Sequence, residues 1–341
     1  MSNKNFQYYL SNFLTKEMAA NRNNSTNTIT SYAFTFKLYL EYMNKEKNIK
    51  PNKVSLSDIT KNNITDFLDW LEETRHVQVN SRNVRLAAIK SFVGYLQIED
   101  VEHIFEYQKI LSIKSKKGPS NEVLWLSKNQ MKLILNSPNS TTKEGFKDKV
   151  LLTVLYDTGA RVDELIHLKL IDIHLEKPAS IKIKGKGNKI RIVPIMGNTV
   201  EVLKKYVKEN NLKNRQYTDH PYLFQNRSGN VYTRAGISYI INKYVELANS
   251  RYDANITVNV HPHVFRHSKA VHLLEAGVEL IYIRDFLGHS SVKTTEIYAK
   301  VCTQNKIEAL EKVYENVSQA SKDDWTKNKD LMEWLANLSK Q

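Results

Sequence analysis

Six residues in the second half of the chain have side chains suited to phosphoryl transfer: Arg161, Lys186, His263, Arg266, His289 and Tyr298. Arg161 stands in Thr158-Gly159-Ala160-Arg161-Val162-Asp163-Glu164-Leu165, where a glycine ends one helix just before the next begins. Backbone N–H groups at a helix start favour an anion, and a guanidinium fork matches two phosphate oxygens. Glu164, three residues on, shares that helical face and can orient the fork; alone, the pair reads equally as a surface ion pair. Lys186 projects from Gly185-Lys186-Gly187-Asn188-Lys189, whose glycines permit positive φ and close approach to a backbone. Such a lysine either stays solvated or donates a proton to a leaving oxygen. His261-Pro262-His263-Val264-Phe265-Arg266-His267 starts a helix at proline and puts His263, Arg266 and His267 on adjacent turns of one face. That arrangement sets an acid/base group beside an oxyanion clamp. His263 and His267 also have zinc-ligand spacing, but no neighbouring carboxylate or cysteine offers a third ligand, and His267 reads equally as a packed core histidine. Gly288 ends a helix, Ser290 or Ser291 caps the next, and Tyr298 follows His289 by nine residues.

The elements that must position these groups are mainly helical. Residues 1–112 show helical periodicity with almost no glycine. Their apolar stripes run through Phe6, Leu10 and Phe13; Ile29 to Met43 after a cap at Ser25 or Thr26; Ile64 to Leu71; Val84, Ala87, Ile89, Phe92 and Leu96; and Ile104 to Ile113. Arg82, Arg85 and Lys90 flank the fourth stripe. SIKSKKGPSNEV, residues 112–123, then reads as an exposed basic linker containing Lys114, Lys116 and Lys117. Beyond it, Ser127 with Gln130 forms a capping-box pattern, and a helix spans about residues 146–157. Ile181 and Ile183 alternate with Lys182 and Lys184, then Ile190 and Ile192 with Lys189 and Arg191, which predicts a β-hairpin with isoleucines on one face. Helices are expected near 198–210, 234–248, 263–276, 279–287, 291–300 and 304–317. A polar break, Ser318 to Asp324, precedes a final apolar stripe with Trp325 and Trp334.

The 341 residues carry 50 Lys plus Arg against 36 Asp plus Glu, a net charge of +14. Of this, +12 falls on residues 113–341 and +2 on residues 1–112. So large a surplus favours a polyanionic partner, because each phosphate contact releases condensed counterions. The single cysteine, Cys302, excludes an intramolecular disulfide framework and a cysteine-based zinc site, and packing is its expected role. No apolar run approaches the roughly 18 residues of a membrane span, and residues 1–9 lack a signal peptide's apolar core; the chain reads as cytoplasmic.

Taken together, TGARVDEL, KGKGNKIRIVPI, HPHVFRH and LGHSSVKTTEIYAKV resemble the signatures of the tyrosine recombinases, the phage-integrase family of site-specific DNA recombinases. The resemblance runs from about Asn24 to Leu310 and covers all six residues in order. It implies a mainly α fold with a small β-sheet: a helical, SAM-like core-binding domain over 1–112, the linker 113–123, an α/β catalytic domain over 124–317 and a helical tail over 318–341. Two such domains would close on DNA as a C-shaped clamp, with the tail docking in cis or exchanged between protomers. The implied chemistry is attack by Tyr298 on a phosphodiester, giving a 3′-phosphotyrosyl link. Arg161 and Arg266 hold the phosphate, Lys186 protonates the leaving 5′ oxygen, His263 accepts the tyrosine proton and His289 bonds the phosphate. Glu164 and His267 support them; Arg82, Arg85, Lys90, Lys114, Lys116, Lys117, Lys182, Lys184, Lys189 and Arg191 are the expected DNA contacts. No cofactor and no metal are expected. The implied partners are double-stranded DNA with paired core sites, in the bacterial cytoplasm, and further copies of the chain: a tetramer in the synaptic complex and a monomer or dimer before it. A mobile-element integrase is the leading reading; a type IB topoisomerase or a non-catalytic DNA-binding regulator are the alternatives.

Overall fold

The structure is a computed structural model that describes residues 5–22, 24–118, 123–210, 212, 221–289, 291–299 and 333. The expected helix over 304–317, the tail 318–341 and Cys302 lie outside the described residues, apart from residue 333. The chain divides into two compact units, Met1–Asn121 and Glu122–Gln341. No helix among the described residues is long and apolar enough to cross a membrane.

In the first unit α1 (Phe6–Asn12) is capped by the Asn5 side chain and runs on into a π-helical stretch, Phe13–Asn21. The other helices are α2 (Thr26–Glu46), α3 (Lys61–Glu73), α4 (Val79–Glu99) and α5 (Ile104–Leu111). Ser25 and Thr60 cap α2 and α3 by accepting N–H bonds from Thr28 and Asn63, as short hydroxyl side chains do best. Phe92 sits at the centre, its ring 5.9 Å from Phe6, 5.3 Å from Phe13 and 5.0 Å from Phe36.

The phase of α4 differs from the expected one. Its buried row is Arg82, Leu86, Ile89, Phe92, Val93 and Leu96, while Val84 and Ala87 face solvent. Several of the expected phosphate contacts have partners within their own unit. Arg82 is 3 % exposed, with Nε 3.5 Å from Glu72. Arg85 donates to the Ser31 carbonyl and Thr35 Oγ1 and lies over the Phe34 ring. Lys90 donates to the Leu111 carbonyl at 2.6 Å. Lys116, from the expected linker, pairs with Glu72 and Asp69, and its backbone bonds Asn83, so this stretch is pinned to α3 and α4. These cations neutralise and cap their own unit. Lys114 and Lys117 are exposed.

The second unit contains α6 (Lys128–Asn136), α7 (Lys143–Thr158), α8 (Val162–Ile166), α9 (Gly197–Glu209), α10 (Arg234–Tyr252), α11 (Pro262–Glu275) and α12 (Leu280–Leu287); residues 293–299 are also helical. The Ser127–Gln130 capping box is formed. Strands β1 (Ile173–His174), β2 (Ser180–Lys184) and β3 (Ile190–Pro194) make one antiparallel sheet in that order, one short strand more than the expected hairpin. The register pairs Ile183 with Arg191 and Ile181 with Val193. Ile181, Ile183 and Val193 therefore enter the core with Arg191, whereas Ile190 and Ile192 are 56 % and 70 % exposed. The isoleucines of β3 thus face outward while those of β2 face inward. Arg191 wins the inner side because a buried carboxylate waits there.

Phe92→Ala should destabilise the first unit by about 3–5 kcal/mol, the usual cost of emptying a buried aromatic site, read as a lower midpoint in urea unfolding.

Candidate active site

Two helix ends meet over α11. Helix α7 stops at Gly159 (φ 56°) and α12 at Gly288 (φ 67°), both left-handed caps. The positive φ at both disfavours any other residue, and a Cβ would also press on side chains, 2.8 Å from Leu287 at Gly159 and 3.1 Å from Arg191 at Gly288. The carbonyls left at these ends face α11, and Arg266 takes two of them. Its Nη1 donates to Gly159 O at 2.7 Å and its Nη2 to Leu287 O at 2.6 Å. The guanidinium is 3 % exposed. Desolvation and the neighbouring Arg161 pull its pKa down to about 9, which still leaves it cationic at neutral pH.

Arg161 is the N-cap residue of α8. Its Nη1 donates to Glu164 Oε1 at 2.9 Å, its backbone N–H to Glu164 Oε2 at 2.8 Å, and its Nη2 reaches the Gly288 carbonyl at 3.4 Å. Glu164 is buried and accepts from a second fork: Arg191 Nη1 at 3.1 Å and Nη2 at 2.7 Å. Burial alone would raise the carboxylate's pKa, but hydrogen bonds and charge from Arg191 and Arg161 hold it below the ordinary value. Arg191 Nε donates to the Phe286 carbonyl at 2.9 Å, tying the sheet to the end of α12. Arg191, one of the expected DNA contacts, has its guanidinium engaged by Glu164 and the Phe286 carbonyl. The period-two pattern and register could have found it, since it shares the phase of Val193.

Arg161, Lys189, Arg191, Asp285, Gly288 and His289 are among the residues that line an open pocket of about 620 Å³. Arg161, Lys189 and Arg191 outnumber Asp285 and the buried Glu164, which leaves it net positive. Lys186 lies in the tight turn Lys186–Asn188, which Gly187 (φ 72°) and a Gly185 N–H to Lys189 O bond close; its side chain lies outside the described atoms. Lys182, Lys184 and Lys189 are exposed on the same hairpin.

The histidines form a row. His263 is the exposed member, its ring 6.0 Å from His261 and 6.3 Å from His267. Desolvation, then His261, Arg266 and Arg161, draw its pKa below the imidazole value. His267 Nδ1 and Tyr298 Oη share a 2.8 Å hydrogen bond. His289 Nδ1 bonds Thr295 Oγ1 at 3.0 Å, and its ring lies nearly parallel to Tyr298, 6.4 Å between centres. Desolvation lowers both to about 4, helped by His263 and Arg266 at His267 and by Arg266 and Arg161 at His289. Tyr298 is 1 % exposed and packs on Ala270, Val271, Ile283 and Leu287; burial raises its pKa, against Arg266 and Arg161. Four of the six predicted residues thus have side chains gathered around a fifth, Arg266, and Lys186 is placed by its backbone. A metal-type cluster among the described residues lies in the other unit, at Asp100, Glu102 and His103, where Asp100 already bonds Tyr107 and His103.

A histidine whose folded pKa is depressed binds its proton more readily unfolded, so folding stability is lost as pH falls below about 6.5. The melting temperature should therefore drop between pH 7 and pH 5, and His289→Asn should flatten that drop. In ¹H–¹⁵N spectra His267 and His289 should remain neutral throughout this range.

Comparisons with known proteins agree with this geometry. Residues 124–305 match the model described as the phage integrase family, and residues 12–100 that of the phage integrase N-terminal SAM-like domain. A protein of Sinorhizobium fredii named as an integrase/recombinase, y4rC, is 33 % identical over 303 residues, covering 89 % of this chain and 90 % of its own. Tyrosine recombinase XerD of Halalkalibacterium halodurans is 31 % identical, covering 81 % of this chain and 88 % of its own. Among solved structures, the XerH site-specific recombinase bound to a palindromic difH substrate, in a post-cleavage complex, has a TM-score of 0.68. It is 25 % identical and covers 88 % of this chain and 84 % of that one. The Tn1549 transposon integrase with circular intermediate DNA shares the fold at a TM-score of 0.63 and 14 % identity, covering 85 % of this chain and 94 % of that one. Both domain models match in order, and relatives align along most of the length: the chain belongs to the phage integrase family, the tyrosine recombinases.

Proposed function

We propose that this chain is a site-specific DNA recombinase that cuts and rejoins strands through a 3′-phosphotyrosyl intermediate at Tyr298. The observation that carries the reading is the cluster around Arg266: two further guanidiniums sharing one carboxylate, with a tyrosine hydroxyl and two neutral imidazoles beside them. A pocket whose lining cations Arg161, Lys189 and Arg191 outnumber its lining carboxylate Asp285 suits a phosphodiester whose charge grows on the non-bridging oxygens in the transition state. Arg161 and the remaining N–H groups of Arg266 hold those oxygens. His289 has Nδ1 engaged by Thr295, which leaves Nε2–H to donate to the phosphate.

The Tyr298 oxygen attacks phosphorus, the bond to the 5′ oxygen breaks, and the phosphate remains esterified to the tyrosine. His263 accepts the phenolic proton, and Lys186 protonates the departing 5′ oxygen. The ester conserves the bond energy, so a 5′-hydroxyl from a partner strand reverses the step and exchanges strands without ATP or a metal. The substrate is duplex DNA with paired core sites. The active assembly is a tetramer of this chain, built from monomers or dimers. Lys182, Lys184 and Lys189 contact phosphates beside the pocket, and Lys114 and Lys117 do so from the first unit. Likeness to the Sinorhizobium fredii integrase/recombinase supports a mobile element as the DNA served. Footprinting the DNA flanking the chain's own gene identifies the site, and recovery of an excised circular junction there tests the mobile-element reading.

Tyr298→Phe should abolish the SDS-resistant DNA adduct while leaving duplex affinity within about twofold, since one hydroxyl is lost. Lys186→Ala should slow cleavage, and a 5′-bridging sulfur, a leaving group that needs no proton, should restore the rate. An adduct that persists in Tyr298→Phe places the nucleophile elsewhere.

A further inference from the structure

A second cation of α11 is buried against the end of α7, and the reaction described above does not use it. Lys269 lies one helical turn beyond Arg266, and Asp157 lies two residues before Gly159, whose carbonyl Arg266 holds. Lys269 Nζ meets Asp157 Oδ1 at 2.8 Å, with the two side chains only 12 % and 9 % exposed. Each partner is aimed from further elements. Asp157 Oδ2 accepts the Met196 N–H at 3.2 Å, just after β3. The Lys269 ammonium lies over the rings of Tyr156 and Phe286, 5.1 Å and 5.8 Å from their centres. Phe286 is also the residue whose carbonyl bonds Arg191 Nε, and Lys269 Cγ is 3.9 Å from where a Cβ on Gly159 would stand. The pair therefore touches α7, α11, α12 and the exit of the sheet, the four pieces that carry or adjoin Arg161, Arg266, His289 and Arg191.

We propose that Lys269, through Asp157, is a positioning residue that fixes the register of α11 on the end of α7 and so aims Arg266 and Arg161 at the scissile phosphate. The proposal rests on those two arginines being the phosphate clamp. Desolvation offsets most of the attraction within a buried ion pair, so its net contribution to stability is small. What the pair enforces is a geometry. Were α11 to slide or turn against α7, both charges would be left among apolar groups without a partner. Arg266 and the Gly159 carbonyl do not set that register alone, because a carbonyl oxygen accepts over a broad range of directions. With Lys269 held on Asp157 one turn away, the guanidinium meets the carbonyl in one arrangement, and the N–H groups left for the phosphate point one way.

The test is single-turnover adduct formation on a nicked duplex taken from the footprinted site, run below the melting temperature of every variant. Lys269→Met removes the charge and keeps an apolar stem; Asp157→Asn removes its partner and keeps an acceptor for the Met196 N–H. Each should slow cleavage about ten- to a hundredfold, the scale of a reacting group displaced by about 1 Å, with the duplex Kd within about twofold. Lys269→Arg keeps a donor for Asp157 and should stay within about threefold of the wild-type rate. Because the two residues act as one contact, the double variant should be no slower than the slower single variant. Unchanged rates in the single variants, a fall shared by Lys269→Arg, or losses that multiply in the double variant overturn the proposal. Should Lys269→Met not fold, Asp157→Asn and Lys269→Arg decide between the same outcomes. Arg266→Ala in this assay tests the clamp separately: cleavage at the wild-type rate there sinks the parent reading whatever Lys269 does. A second measurement reports the aim itself. In ¹⁵N-arginine spectra of the free protein the Arg266 guanidinium signals should shift in Asp157→Asn and stay near their wild-type positions in Lys269→Arg; signals that do not move in Asp157→Asn contradict the proposal.

Discussion

The burial of one guanidinium organises the second unit. Arg266 is almost wholly removed from water, and a buried cation persists only where its N–H groups find acceptors. Those acceptors are the Gly159 and Leu287 carbonyls, freed because α7 and α12 both end in left-handed glycine caps. One side chain thus ties three helices together, and the Arg161, His-x-x-Arg and His289 motifs come within reach of one another because these helices meet. Replacing either glycine would strain its left-handed backbone and crowd the Leu287 or Arg191 side chain.

Glu164 supplies the compensating negative charge. It takes both Arg161 and Arg191, and Arg191 reaches on to the Phe286 carbonyl, so the hairpin that bears Lys186 is anchored to the same helix end. This demand outweighs hydrophobic patterning on β3. Turning Arg191 inward leaves Ile190 and Ile192 in solvent. The cost is some apolar exposure, and the result is a preorganised floor with surplus positive charge in a pocket where field strength is greatest.

Much of this is legible in the sequence, and the exceptions have physical causes. Ser25, Ser127, Gly159, Pro262 and Gly288 mark helix boundaries where they were expected, because caps are decided by local backbone chemistry. The six candidate residues follow from spacing taken together with the family resemblance. Arg82, Arg85, Lys90 and Arg191 do not, because a positive side chain beside an apolar stripe looks the same whether its partner is a phosphate or a distant carboxylate. Glu72 lies on another helix and Glu164 on another motif, and only the fold brings them into contact. The phase of α4 fails for a related reason: Val84 and Leu86 are comparable in apolarity, and packing around Phe92 selects between them. The hydrogen bond between His267 and Tyr298 joins residues on separate helical segments, a pairing that no local pattern encodes.

The central claim is that these motifs build one cleavage site with Tyr298 as its nucleophile. Its most direct measurement is the chemical identity of the protein–DNA bond. After trapping the adduct on a nicked duplex and digesting with nuclease and trypsin, mass spectrometry should find a nucleotide phosphate on the peptide spanning residues 294–300, at Tyr298. A nucleotide on any other residue, or an SDS-resistant complex with no modified tyrosine, would contradict the account.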